Sequence, residues 1–274
     1  ALIVGNVVGV GIFLTPAEVA PAVSGEVAYL LFWLFGALVA LAGALAFAEL
    51  GVLFPEAGGD FVYLDRAFGP SVAGAWGVLA LFGTFSGSIA AMAVGITDTL
   101  RSGGFVWLDG FAPLHVLGGT IGADQLFGLG LVWVATLVNV RSLRVAGRLQ
   151  VATTWVPIAA YVVLGIVVGL DPEPTSTIQA VETRPDGDLM TAFGAIFFAY
   201  SGWNVLTYVA GDIERPSRTI PRAVAAGVGI TVVLYVVLNA AFVASAGLDG
   251  LSATSNAGLA TVGHYAGAPG VRVL

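Results

Sequence analysis

The sequence predicts an all-α integral membrane protein, and three observations carry that prediction. Hydrophobic residues make up 58% of the 274-residue chain and charged residues only 10%, whereas soluble domains carry about a quarter charged residues. Mean hydropathy is +0.95, and apolar stretches recur at the roughly 20 residues that a helix needs to cross hydrocarbon about 30 Å thick. The pattern is not that of a β-barrel, whose short strands alternate polar and apolar positions.

Breaks rich in charge, Pro or Gly divide the chain into seven spans, at 1–23, 26–53, 71–100, 123–140, 146–170, 188–210 and 222–247, with an eighth starting near Ala257. The longest exceeds the hydrocarbon thickness if fully helical, so tilting is expected. Between spans two and three, PEAGGDFVYLDRAFGP at 55–70 is too polar for hydrocarbon, yet it spaces Phe61, Tyr63, Leu64 and Phe68 as a helix does. A short helix lying at the inner surface is the expectation there. Glu56, Asp60 and Asp65 beside Arg66 read most simply as its solvated face. The Pro-rich segment 171–187, DPEPTSTIQAVETRPDG, reads as a solvated external loop.

Short cytoplasmic loops retain Arg and Lys. Arg66, then Arg141, Arg144 and Arg148, then Arg215, Arg218 and Arg222 all fall on one side, and only Arg101 and Arg184 fall on the other. The amino terminus is therefore expected in the cytoplasm. Cys is absent, so disulfides and thiolate metal sites are excluded. His115 and His264 are far apart and lack metal-ligand spacing, so neither a metal nor a cofactor is expected. A net charge of −7 argues against nucleic acid as a partner.

Two spans are interrupted. Span one reads GNVVGVGIFLTP at 5–16, with Gly5, Gly9 and Gly11 where a helix loses about 1 kcal/mol per Gly relative to Ala. Span six reads GAIFFAYSGWNVLTYVAGDIERP at 194–216, with Ser201-Gly202 inside it. Unwound backbone at membrane depth is tolerated only against protein or a cavity, and paired interruptions point to a transporter binding site. Their separation by five spans suggests two five-helix repeats of inverted topology: 1–170, then the loop 171–187, then an incomplete second repeat at 188–274. Free NH groups of a half-helix starting near Gly11 and Ile12 suit a carboxylate. Carbonyls exposed at Phe198 to Gly202 suit an ammonium group, and together they describe an α-amino acid. Helix packing is the simpler reading of Gly5, four residues before Gly9.

GVGIFLTP, AFAELGVLFPEAGGDFVYLDRAFGP at 46–70 and FFAYSGWNVLTYVAGDIERPSRTIPRA at 197–223 resemble the amino acid permeases of the amino acid-polyamine-organocation superfamily, nearest the L-type amino acid transporter branch. The resemblance covers nearly the whole chain. It implies a LeuT-type 5+5 inverted-repeat fold, with the substrate between broken helices one and six. It also implies that Gly9, Val10, Gly11 and Ile12 surround the carboxylate, that Ala199, Tyr200, Ser201 and Gly202 face the amino group, that Phe198 closes over the substrate, and that Asn204 matches the Asn after Gly-Trp in the family pattern. A Ser of many relatives is replaced by Val10, the helix-five Lys of several relatives falls near Pro157, and Gly211 replaces the first of the paired acids, of which Asp212 keeps the second.

The expected function is secondary active transport of amino acids across the plasma membrane by alternating access, with the lipid bilayer as surroundings and a proton or sodium ion as the coupling ion left open. A nutrient sensor on the same fold, or a carrier of polyamines or other organic cations, is the alternative. An enzyme is not expected, because no His or carboxylate cluster has catalytic spacing, and a retinal protein is excluded by the absence of Lys. Glu49, Asp98 and Asp212 lie nearest the span ends, where snorkelling or capping is simpler than coupling. Thr84, Ser86 and Ser88 in span three either reach the pocket or bond across helices. The chain reads as a fragment of a longer protein that would not transport by itself.

Overall fold

The computed structural model describes residues 2–9, 11–102, 114–116, 119–170, 187–258 and 260–261. Its helices are α1 (Leu2–Val7), α2 (Gly11–Val19), α3 (Glu26–Leu53), α4 (Asp60–Phe68), α5 (Pro70–Leu79), α6 (Ser86–Ser102), α7 (Ala123–Arg141), α8 (Leu143–Leu170), α9 (Leu189–Ala199), α10 (Val205–Tyr208) and α11 (Pro216–Ser252). Four helical stretches are long and apolar enough to cross a membrane among the described residues: 26–53, 70–101, 123–141 and 216–252. Much of their large apolar surface faces outward, including Phe82, Trp133 and Val233, as expected where the solvent is lipid and apolar exposure carries no hydrophobic penalty.

The architecture is all-helical, as expected, apart from one small addition. Leu114–Val116 and Gly119–Ile121 pair as an antiparallel hairpin, with His115 opposite Thr120. So short a hairpin leaves no periodic apolar signature in the sequence. The external loop expected at 171–187 lies outside the described residues except for Gly187, whose NH donates to the Pro21 carbonyl at 3.1 Å.

α3 is the spine. Ala37, Ala40, Ala44, Ala48 and Gly51 form a buried seam of small residues at helical spacing, which lets a neighbouring backbone approach closely. The neighbour is the 189–208 segment. A Cβ at Gly36 would fall 2.2 Å from Ile196 Cγ2, and one at Gly43 would fall 3.0 Å from the Trp203 ring. α11 packs along the same helix, α2 packs on α9, and α1 touches both α8 and α11. The buried core is drawn from residues 3–48 and 192–257, with Tyr29, Trp33, Tyr200 and Tyr235 at its centre.

Helix ends follow local chemistry. Asp188 caps α9, its carboxylate accepting from the Met190 and Thr191 amides and from the Thr191 hydroxyl. That hydroxyl, followed by the two amides, holds the carboxyl below the usual range. α11 opens with Pro in its first turn after Arg215, which has φ 53°, and is bent at Gly247, which has φ 65°. In span three, α5 and α6 are joined through a π-helical stretch, Ala80–Phe85. There Ser86 donates to the Leu81 carbonyl and Ser88 to the Thr84 carbonyl, so both hydroxyls are used within their own helix.

Candidate functional site

α1 stops at Val7 and α2 starts at Gly11; α9 stops at Ala199 and α10 starts at Val205. The end of a helix leaves its last carbonyls, and the start its first NH groups, without intrahelical partners. These ends meet in the core. A Cβ at Gly11 would sit 3.1 Å from Ala199 Cα, so the first turn of α2 lies directly on the last turn of α9. Asn6 Nδ2 donates to the Gly202 carbonyl at 3.0 Å. Gly202 itself has φ 106°, a left-handed conformation that side chains resist, and a Cβ there would fall 2.7 Å from Asn6 Nδ2.

One side chain joins the two carbonyl ends. The Tyr235 hydroxyl, on α11, lies 2.9 Å from the Val7 carbonyl oxygen and 3.0 Å from that of Ala199, and its single proton donates to one at a time. Asn239, one turn further on, donates to the Tyr235 carbonyl at 2.9 Å and accepts from the Tyr29 hydroxyl. The Tyr200 ring stacks 4.9 Å from that of Tyr235, and Trp33 meets both edge-on at 6.0 Å. Sequence reasoning did not single out Asn6, Tyr29, Trp33, Tyr235 or Asn239. The signal was available in span seven, where Thr231, Tyr235 and Asn239 place polar groups every fourth residue, on one face of a helix otherwise apolar.

The residues expected to hold a substrate divide into several groups. Gly9 is exposed, and a Cβ there would meet none of the described residues within 4 Å. Val10 lies outside the described residues. Gly11 and Ala199 are in mutual contact. Ile12 and Tyr200 are buried at 0% and 1% exposure, their side chains belonging to the core. Phe198 is 52% exposed. The Ser201 hydroxyl donates to the Phe198 carbonyl at 2.7 Å, and Asn204 Nδ2 donates to the Tyr208 hydroxyl at 3.4 Å. Neither 5–12 nor 198–204 contains Asp, Glu, Arg, Lys or His.

Gly5 packs: a Cβ there would fall 2.1 Å from Thr154 Oγ1 on α8. Glu49, Asp98 and Asp212 are all exposed. The prominent clefts lie away from the paired helix ends, one lined by Arg215, Arg218, Thr219 and Arg222, the other by Leu137, Val138, Arg141 and Val145. No group of three or more potential ligands that could hold a metal occurs among the described residues.

A profile of the amino acid permease family matches residues 1–274. The chain is 28% identical over 242 residues to the serine/threonine exchanger SteT of Bacillus subtilis, covering 87% of this chain and 51% of that protein. It is 31% identical over 255 residues to the mouse Asc-type amino acid transporter 1, covering 88% and 45%. With the human large neutral amino acids transporter small subunit 2 the identity is 30% over 275 residues, covering 96% and 49%. The chain thus spans about half the length of the curated relatives it matches.

Proposed function

Because this chain belongs to the amino acid permease family, we propose that its protein carries α-amino acids across the plasma membrane by alternating access, with the substrate between residues 9–12 and 198–204. The observation that carries this reading is the meeting of helix ends. The NH-bearing start of α2 abuts the carbonyl-bearing end of α9, with Gly11 on Ala199, and Asn6 of α1 donates to the Gly202 carbonyl inside the second interruption. An NH terminus favours an anion and a carbonyl terminus a cation, so one zwitterion satisfies both. The family supports the finer reading as well: a LeuT-type inverted repeat with 1–170 as its first half and 188–274 in its second, and a cytoplasmic amino terminus. Relatives named for serine and threonine or for large neutral amino acids favour a neutral substrate, in keeping with ends that carry no ionised side chain.

The test uses the full-length protein in liposomes and labelled neutral amino acids, competed by unlabelled amino acids and by their N-acetyl and carboxamide forms. Competition by the free amino acids alone is the expected result, and competition by either blocked form overturns joint backbone recognition. Gly9→Leu is the sharper probe. No described residue occupies the direction of its side chain, so the fold should tolerate it while the ligand is kept from the backbone, and affinity is expected to fall at least tenfold. Gly11→Leu would not separate the two, since its side chain strikes the Ala199 backbone.

A further inference from the structure

Asp60, expected on a solvated face, is instead half-buried where α4 meets α10. Its Oδ2 accepts from the Tyr208 hydroxyl at 2.6 Å, while its Oδ1 is buried with no partner among the described residues. The contact is clamped by backbone too. The Gly58 NH donates to the Tyr208 carbonyl at 3.2 Å, and Gly59, at φ 53°, brings the chain so close that a Cβ would fall 2.8 Å from the Tyr208 ring. Tyr208 is the last residue of α10, past the interruption between Ala199 and Val205, so this junction ties the surface helix α4 to the far half of span six.

We propose that Asp60 is a proton-binding site whose occupancy holds a latch between α4 and α10: proton binding favours the closed latch, and the proton is released to water when α10 moves away. The latch rests on the transport reading only in that α10 must move during transport. A buried carboxylate with one hydrogen bond and an orphaned second oxygen is poorly compensated as an anion. The protonated form removes that penalty, and the proton comes from and returns to the aqueous phase. Burial accordingly raises the Asp60 carboxyl above its usual range, the Tyr208 hydrogen bond opposing it.

The titratable groups facing Asp60 are the hydroxyls of Tyr208 on α10 and Tyr63 on α4, and the Tyr63 hydroxyl is itself raised by burial and by the nearby carboxyl. α3 approaches the cluster with Gly51, next to the Tyr63 hydroxyl, and the π-helical stretch approaches with Phe85 against Tyr208; neither ionises. Arg66 is turned to Glu56 at 2.7 Å, and Glu49, Asp212 and Glu214 are exposed. One carboxylate and two hydroxyls fall well short of the about six oxygens a hard cation takes, which favours a proton as occupant.

The linkage has a definite sign. A carboxyl raised in the closed state stabilises that state fully below the ordinary value of ~3.9 and loses the contribution as pH rises through the raised value. The chain has no Cys, so a disulfide can report the latch without background. A Cβ at Gly211 would lie 3.6 Å from Ala57 Cβ, within the spacing of disulfides. In the full-length protein carrying Ala57→Cys and Gly211→Cys, the rate of oxidative cross-linking is measured against pH with and without Asp60→Asn. The ratio of the two rates cancels thiol titration, and Asn mimics the neutral carboxyl. The ratio should be near one in acid and fall by up to tenfold per pH unit above ~4 until the raised value is passed. A pH-independent ratio overturns the proposal. Tyr208→Phe removes the Tyr208 hydrogen bond to the anion and should extend the fall to higher pH with its onset near ~4 unchanged, which loss of a purely structural contact would not do; an unchanged upper end also overturns it. The assay needs no substrate. Uptake with a flat ratio sinks the latch alone, and a pH-dependent ratio without uptake sinks the transport reading alone.

Discussion

Tyr235→Phe isolates what holds the two helix ends together. The substitution keeps the ring, and so its stacking with Tyr200 at 4.9 Å and its edge contact with Trp33, and deletes one oxygen that is 0% exposed together with its residue. What is lost is the donor shared by the Val7 and Ala199 carbonyls. Only one bond is made at a time, so the net loss is about 1 kcal/mol if water replaces the donor, and up to about 3 kcal/mol if a carbonyl stays buried without a partner. At 1.4 kcal/mol per decade, that range corresponds to roughly 5- to 150-fold more frequent local opening. Amide hydrogen exchange in detergent reads it directly. Peptides covering residues 3–9 and 196–203 should both exchange faster by such a factor. Ser245→Ala is the control, since that hydroxyl donates to the Phe242 carbonyl and pairs with Thr261, and it should leave both peptides unchanged. Acceleration at one peptide alone, or at neither, would refute the idea that one hydroxyl bridges both ends.

Gly36→Val should destabilise the protein by about 1–3 kcal/mol by overpacking, since its Cβ would fall 2.2 Å from Ile196 Cγ2, and Ile196→Ala in the same chain should recover part of that in denaturant unfolding in detergent. Asp188→Ala should speed exchange of the Met190 and Thr191 amides that the carboxylate caps. Because that carboxyl is held low, the cap is intact above ~3.9 and is lost as pH falls through the lowered value, and this acid-range change in exchange should be absent from the Ala variant. Arg66→Ala breaks a 2.7 Å pair whose side chains are both more than half exposed, so unfolding in detergent should change by no more than ~1 kcal/mol.

The long spans were legible because length and hydropathy decide them: 26–53 was expected and Glu26–Leu53 is helical. α4 was legible from the spacing of Phe61, Tyr63, Leu64 and Phe68. Asp60 was not. Four charged side chains within eleven residues read as a wet face, and nothing local announces that Gly58 and Gly59 admit Tyr208, 148 residues from Asp60, over the carboxyl. The same limit applied at Gly11, where one glycine answers equally to ligand access and to close packing until its neighbour is known. Tyr235 was missed for the opposite reason. Its span is so apolar that membership in the membrane explained it, although its four-residue spacing from Thr231 and Asn239 already marked a polar seam.

A cycle of alternating access needs some contacts to persist while others exchange, and the packing separates two kinds. Among the described residues the buried core cluster is drawn from α1, α2, α3, α9 and α11 with their flanking turns, and Ile158 of α8 packs against it. α6 packs instead on α7, and α4 on α5. Within the core, neutral hydrogen bonds from α11 and a seam of small residues on α3 hold both interrupted segments, with no ionised group at the helix ends whose partner would have to be exchanged. At the rim, by contrast, the segment 200–208 is fastened to α4 through a carboxyl and a tyrosine. Apolar packing responds weakly to pH, whereas a half-buried carboxyl responds steeply. On the proposed latch, the contact that α10 would have to break in order to move is one that responds to protons, whereas the hydrogen bonds from Tyr235 and Asn239 that hold the two interrupted segments in register are made by neutral groups.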